Sequence, residues 1–325
     1  MPEMAKTETA AYALTVADLL RKQAGTRAHA VALQDARGVL SYVELDRAAS
    51  RLAQALLVRG LRAGDRVAVL SENCREYLQL QLAAAKIGVV VACLNWRLAD
   101  AEITHCLRLV SPCMVFVSLR HAPTLARVEH GVPQVILIET QFDTFLSGVL
   151  EDDPLIDVDP EQGLVILYTS GTTGLPKGAV ISQRAMVARA MCFAGEYGIT
   201  AEHTYVAWSP LFHMAATDFS LATLMIGGKV VVQDGLDVDR LCATIAAEPI
   251  GWLVAMPGMI DALIDGLRRN ATRPRGVRVV GAMADLVPLQ QIADLTGLLK
   301  APYINSFGAT ETGLAPASGA PKLLM

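Results

Sequence analysis

The chain has 325 residues, 53% hydrophobic and 18% charged, with a formal net charge of -4. That composition excludes a disordered chain and leaves room for a sizeable core, enough for more than one compact unit. The balance of 28 Lys plus Arg against 32 Asp plus Glu shows no sign of the basic face that nucleic acid binding uses, so no nucleic acid partner is expected.

The first eleven residues carry Glu3, Lys6 and Glu8 and lack the basic-then-apolar order of a secretory signal. No uncharged apolar run, that of residues 87–96 included, is long enough to span a bilayer. A soluble, cytoplasmic protein is expected. Cysteines at 74, 93, 106, 113, 192 and 242 form no Cys-x-x-Cys pair and read as buried free thiols.

Ser41 and Glu44 have capping-box spacing, and Leu45, Ala49, Leu52, Ala53 and Leu56 follow at helical spacing up to Gly60. Val67-Ala68-Val69-Leu70 reads as a strand covered on both faces. A helix is predicted from Glu76 to about Ile87. Further strands are predicted at 89–93, 115–117 and 135–138. This alternation predicts an α/β protein with largely parallel sheets. Residues 139–162, rich in acids and prolines, read either as a connector between two α/β units (1–150 and 151–325) or as a surface loop within one. Strands are predicted beyond it at 164–168, 229–232, 253–255 and 277–280.

Tyr168-Thr169-Ser170-Gly171-Thr172-Thr173-Gly174-Leu175-Pro176-Lys177-Gly178 is the most informative stretch. Glycines let backbone amides approach an anion, hydroxyls donate to phosphate oxygens, and Lys177 adds a mobile positive charge. The spacing is not that of a Walker A loop, because Pro precedes the lysine and Gly178-Ala179-Val180-Ile181 reads as a strand. Helix signals begin only at Ser182, a plausible N-cap. The loop should therefore join two strands and hold phosphate without a helix dipole. A P-loop kinase or GTPase is disfavoured, and no Gly-x-Gly-x-x-Gly is present.

Residues 168–178 resemble the phosphate-binding motif of the adenylate-forming superfamily, which includes acyl-CoA synthetases, luciferases and peptide-synthetase adenylation domains. Two further stretches in the matching order strengthen the resemblance. Trp208-Ser209-Pro210-Leu211-Phe212-His213-Met214-Ala215-Ala216 resembles the segment lining the acyl pocket, with Phe212 and Met214 as an apolar wall. His213 would gate or orient the carboxylate, not act as a general base. Asn305-Ser306-Phe307-Gly308-Ala309-Thr310-Glu311-Thr312 resembles the aromatic-Gly-x-Thr-Glu motif. There Phe307 would lie against adenine, Thr310 would donate to the α-phosphate, and Glu311 would ligate Mg²⁺. The family's usual residue at 307 is tyrosine, so the stacking face is kept and a hydroxyl lost. Gly281, Ala282 and Met283 resemble the strand end whose backbone meets adenine. Residues 255–257 and Ile226-Gly227-Gly228 match more weakly.

The resemblance spans roughly residues 17–311. It implies two stacked, largely parallel sheets with helices in layers, as in the family's N-terminal domain. It also implies ATP, Mg²⁺ and coenzyme A. A carboxylate, here one with an uncharged apolar tail, attacks the α-phosphorus of ATP and pyrophosphate departs; a thiol then displaces AMP. Positioning and charge neutralisation would carry the first step. Family members continue past the Thr-Glu motif with a ribose-binding aspartate, a hinge and a mobile C-terminal domain bearing a lysine. Nothing in residues 312–325 resembles these. A fragment, a truncated and impaired product, or a divergent short form is therefore expected. The alternative is a non-catalytic remnant that binds nucleotide or acyl-adenylate. The acid's identity is not legible, and a homo-oligomer is left open.

Overall fold

The computed structural model describes residues 13–169, 174–283, 286–306 and 308–314. The chain forms two largely parallel sheets with helices packed on their faces. One has six strands in the order β6-β5-β3-β4-β7-β8. These are β3 (Arg66–Leu70), β4 (Val90–Cys93), β5 (Met114–Val117), β6 (Gln134–Leu137), β7 (Gly163–Thr169) and β8 (Lys177–Ser182). All its neighbours are parallel except β7 and β8.

The other sheet has seven strands in the order β13-β12-β11-β9-β10-β1-β2. They are β1 (Val31–Asp35), β2 (Gly38–Ser41), β9 (Thr204–Ala207), β10 (Lys229–Val232), β11 (Ile250–Ala255), β12 (Val277–Ala282) and β13 (Tyr303–Asn305). Only the β1–β2 hairpin is antiparallel. A two-stranded hairpin, β14 (Gly308–Ala309) with β15 (Gly313–Leu314), follows. The acid-rich segment 139–162 lies between β6 and β7 of the same sheet, and the early hairpin β1–β2 crosses to the other.

Strand alternation explains the burial of both sheet faces. In β3, Val67 and Val69 point into the large core shared by the two sheets, whereas Ala68 and Leu70 enter a second core. That second core lies under helices Asp100–Val110 and Ala122–Arg127. The large core contains helices Arg75–Ile87 and Met214–Ile226, almost every residue of which is buried. The helix Tyr42–Val58 begins at the Ser41–Glu44 capping box that the sequence predicts, and Leu45, Ala49, Leu52, Ala53 and Leu56 are all buried.

Element ends differ from the sequence-based ranges for local reasons. β11 starts at Ile250, earlier than the apolar run suggests, and Gly251 lies inside it. A Cβ at Gly251 would sit 2.9 Å from His203 Cβ, so the glycine serves close strand packing. Gly228 is as tightly constrained: a Cβ there would stand 2.5 Å from the His203 carbonyl oxygen, which explains the second Gly of the Gly-Gly pair. The six cysteines are free; Cys93, Cys106 and Cys242 are buried and the others half-buried.

Candidate functional site: a strand-hairpin loop, two strand ends and an apolar cleft

β7 and β8 are antiparallel neighbours with Thr169 opposite Lys177 and Tyr168 opposite Gly178. The glycine- and hydroxyl-rich segment is thus the tip of a strand hairpin, and the helix Gln183–Tyr197 begins only after β8. Ser182 caps it by accepting from the Ala185 amide at 3.2 Å. Ser170, Gly171, Thr172 and Thr173 lie outside the described residues. Of the rest, Gly174 has φ +110°, Thr169 is half-buried and Lys177 is exposed. Among the described residues Lys177 makes no ion pair, which leaves its ammonium available to an anion. The helix Asp100–Val110 buttresses the hairpin from behind. Tyr168 Oη donates to the Cys106 carbonyl at 3.1 Å, and His105 Nε2 lies 3.1 Å from the Pro176 carbonyl oxygen.

The predicted adenine-side segments are distant in sequence and adjacent in space. β12 and β13 pair in parallel, placing Gly281 opposite Ile304 and Ala282 opposite Asn305. The Ser306 amide donates to the Ala282 carbonyl at 2.9 Å, continuing the pairing past the strand ends. Met283 is exposed at the end of β12, and Gly308 opens the next hairpin. Phe307 lies outside the described residues. A Cβ at Gly281 would be 2.2 Å from the buried Trp252 ring, so this glycine lets β12 lie flat against an indole.

The β14–β15 hairpin carries Thr310, half-buried, and Glu311, exposed. Arg189, from the middle of helix Gln183–Tyr197, donates from Nη2 to the Thr310 carbonyl at 3.0 Å. The helix that follows the β7–β8 hairpin therefore also holds the Thr-Glu hairpin. Glu311 makes no ion pair among the described residues. One exposed carboxylate fits the way Mg²⁺ is commonly held, by one or two carboxylates together with phosphate oxygens.

Residues 207–213 are pinned by Asn73. Its Nδ2 donates to the carbonyls of Ala207 (3.0 Å), Ser209 (2.7 Å) and Gln233 (3.1 Å), and its Oδ1 accepts from the Leu211 amide at 2.8 Å. His213 caps helix Met214–Ile226, with Nδ1 accepting from the Ala215 amide at 3.2 Å. His213 keeps exposed surface, yet partial desolvation, then the charge of Arg97, lower its pKa and favour the neutral imidazole, with Nδ1 as acceptor of the cap bond. A neutral ring whose Nδ1 is occupied suits orientation of a ligand better than proton abstraction.

The expected wall residues separate. Phe212 turns to Trp96, edge-on at 5.6 Å between centroids, with the Arg97 guanidinium 5.0 Å from the Trp96 ring. Met214 instead lines a cleft between helices Gln183–Tyr197 and Met214–Ile226. Phe193, Tyr197, Phe219 and Ala222 form its apolar sides, and Leu314 of the hairpin closes it.

Two charged residues that sequence reasoning missed lie in this cleft: Arg189 and Asp218, paired at 2.8 Å and only 10% and 7% exposed. Burial pushes the Asp218 carboxyl up to about 6 against the opposing pull of Arg189. The available signal was Asp218 itself, the one charged residue in the otherwise uncharged helix Met214–Ile226.

Comparison with known proteins agrees with this arrangement. The family model "AMP-binding enzyme" matches residues 20–322. Indoleacetate–CoA ligase of Aromatoleum aromaticum is 28% identical over 313 residues, covering 92% of this chain and 60% of that protein. Feruloyl-CoA synthase of an Amycolatopsis species is 29% identical, covering 72% and 47%. The chain thus spans about half to three fifths of the length of these relatives. The N-terminal domain of FACL13 from Mycobacterium tuberculosis superposes with a TM-score of 0.84 at 22% identity, covering 92% of this chain and 76% of that one. O-succinylbenzoate coenzyme A synthetase from Bacillus subtilis, solved in complex with AMP, gives 0.76 at 23% identity, covering 90% and 74%. No described helix is long and apolar enough to cross a membrane. With its hairpin loop, paired strand ends and two-sheet fold, the chain belongs to the AMP-binding enzyme family.

Proposed function

We propose that this chain forms the nucleotide- and acid-binding part of an ATP-dependent acid–thiol ligase, which activates a carboxylic acid as an acyl-adenylate and passes it to coenzyme A. The observation that carries this reading is the bridging role of helix Gln183–Tyr197. It starts from the phosphate hairpin, lines the apolar cleft, and holds Thr310 through Arg189.

In this assignment Thr169 to Gly174 and Lys177 hold the phosphates. Gly281, Ala282, Met283, Asn305, Phe307 and Gly308 receive the adenosine. Thr310 donates to the α-phosphate. Mg²⁺ at Glu311 would neutralise phosphate charge when bound. The acid enters the cleft tail first, and His213, neutral and fixed by its cap bond, orients its carboxylate. Two of the relatives are an indoleacetate–CoA ligase and a feruloyl-CoA synthase, so an aryl acid is the first class to try. Because each sheet takes strands from both sides of residue 150, segments 1–150 and 151–325 act together as one site-bearing unit, operating in the cytoplasm.

Calorimetric titration with MgATP should give saturable binding. Lys177→Ala should weaken it about tenfold or more, the usual scale for losing a charge-assisted contact. Glu311→Gln should reduce the dependence on Mg²⁺ while leaving the melting temperature unchanged. Unchanged affinity in Lys177→Ala would remove the phosphate role from the hairpin.

A further inference from the structure

We infer that Asp218 selects the acid: one of its carboxylate oxygens accepts a hydrogen bond from a neutral donor, such as a phenol, an alcohol or a ring N–H, on a compact tail. The inference rests on the ligase reading and names its substrate class.

The Asp218 side chain is 7% exposed and lines the cleft. Its Oδ2 accepts from Arg189 Nη1 at 2.8 Å, whereas Oδ1 is buried and has no hydrogen-bond partner among the described residues. A buried acceptor left unpaired is costly, and natural cores rarely keep one without a use. Asp218 is also a residue of the cleft lining, which places this acceptor beside the ligand space.

The chemistry of the donor follows from the charges. Arg189 already neutralises Asp218, so an ammonium would leave a net positive charge buried in the cleft. A neutral O–H or N–H satisfies Oδ1 without that penalty. Size narrows the choice further. The cleft holds about 20 Å³, room for roughly one water-sized sphere. A ligand must therefore displace lining side chains, of which the unbranched Met214 is the most adaptable, and a compact tail asks for less displacement than a long chain.

The test is calorimetric titration of the 325-residue chain, with AMP present, using 3-phenylpropanoate and its ortho-, meta- and para-hydroxylated forms. At least one hydroxylated acid should bind about tenfold more tightly than the parent, the scale of a hydrogen bond to a charged group. Asp218→Leu should abolish the preference, and Asp218→Asn, which keeps an acceptor oxygen, should retain part of it. Thermal melts would establish that each variant folds; where one does not, the wild-type preference alone decides. Equal affinity for all four acids overturns the inference, as does a preference that survives in Asp218→Leu. Binding of ATP with no binding of any acid overturns the inference and spares the nucleotide assignment. Failure to bind either nucleotide or acid overturns the ligase reading as well.

Discussion

Trp252→Ala should lower the folding stability by about 3–5 kcal/mol, the range for truncating a fully buried large aromatic residue. Trp252 is 1% exposed. Its ring lies 4.8 Å from Phe219, 5.0 Å from Tyr197 and 5.9 Å from Phe193, centroid to centroid. Those three rings line the apolar cleft proposed for the acid, and Gly281, in the strand end proposed to meet adenine, leaves its Cβ space to the same indole. One residue therefore supports both halves of the site from behind. Neighbouring rings cannot fill the void without moving, and Gly281 has no side chain with which to do so. Urea unfolding of wild type and variant measures the loss. A change under 1 kcal/mol would mean that the aromatic cluster repacks freely.

Lys86→Met should cost about 3 kcal/mol, as expected when one partner of a buried ionic cluster is removed. Lys86 is fully buried on helix Arg75–Ile87. It donates to Asp46 at 2.7 Å, on helix Tyr42–Val58, and to Asp153 in the segment before β7. Asp153 is also held by Arg21 at 2.8 and 2.9 Å. Burial alone would raise the Asp153 pKa, but hydrogen bonds from Arg21 and Lys86 outweigh it and hold the carboxyl well below the usual range. A depressed folded-state pKa contributes stability above the ordinary value of 3.8, lost as pH falls below it. The difference between Lys86→Met and wild type should therefore be full at pH 7 and shrink below about pH 4. Adding Asp46→Asn should cost less than the sum of the single changes, because the three groups share one network. Identical denaturation midpoints at pH 7 would contradict the role given to this lysine.

Local signals were legible in the sequence where local physics decides. Ser41 and Glu44 cap one helix, Ser182 caps another, and the hydroxyl- and glycine-rich segment joins two strands. The order of the three motifs also sufficed to indicate the fold, since each falls at the end of a strand or the start of a helix. Pairings between distant segments were not legible. β1, with β2 as its hairpin partner, joins the second sheet beside β10, pairing Leu33 with Val230 across a separation of 197 residues that no local pattern encodes. Lys86 and Asp153 look like surface charges until folding places them together. Arg189 and Asp218 were hidden for a different reason. An apolar run reads as a uniform pocket wall, and a single acid within it gains meaning only when its neighbours are known.

On the proposed function, the hairpin, the paired strand ends and the cleft form one continuous site for an acid joined to AMP. Titration with a non-hydrolysable acyl-sulfamoyl-adenosine, made from the tightest-binding acid above, tests this most directly. Joining two ligands that occupy adjacent subsites adds their contacts while the entropy of association is lost only once. The joined analogue should bind at least about 100-fold more tightly than AMP or the free acid, with Lys177→Ala leaving that ratio intact. An analogue that binds no more tightly than AMP would show that the cleft does not continue from the nucleotide site, and would contradict the assignment of this chain to acid activation.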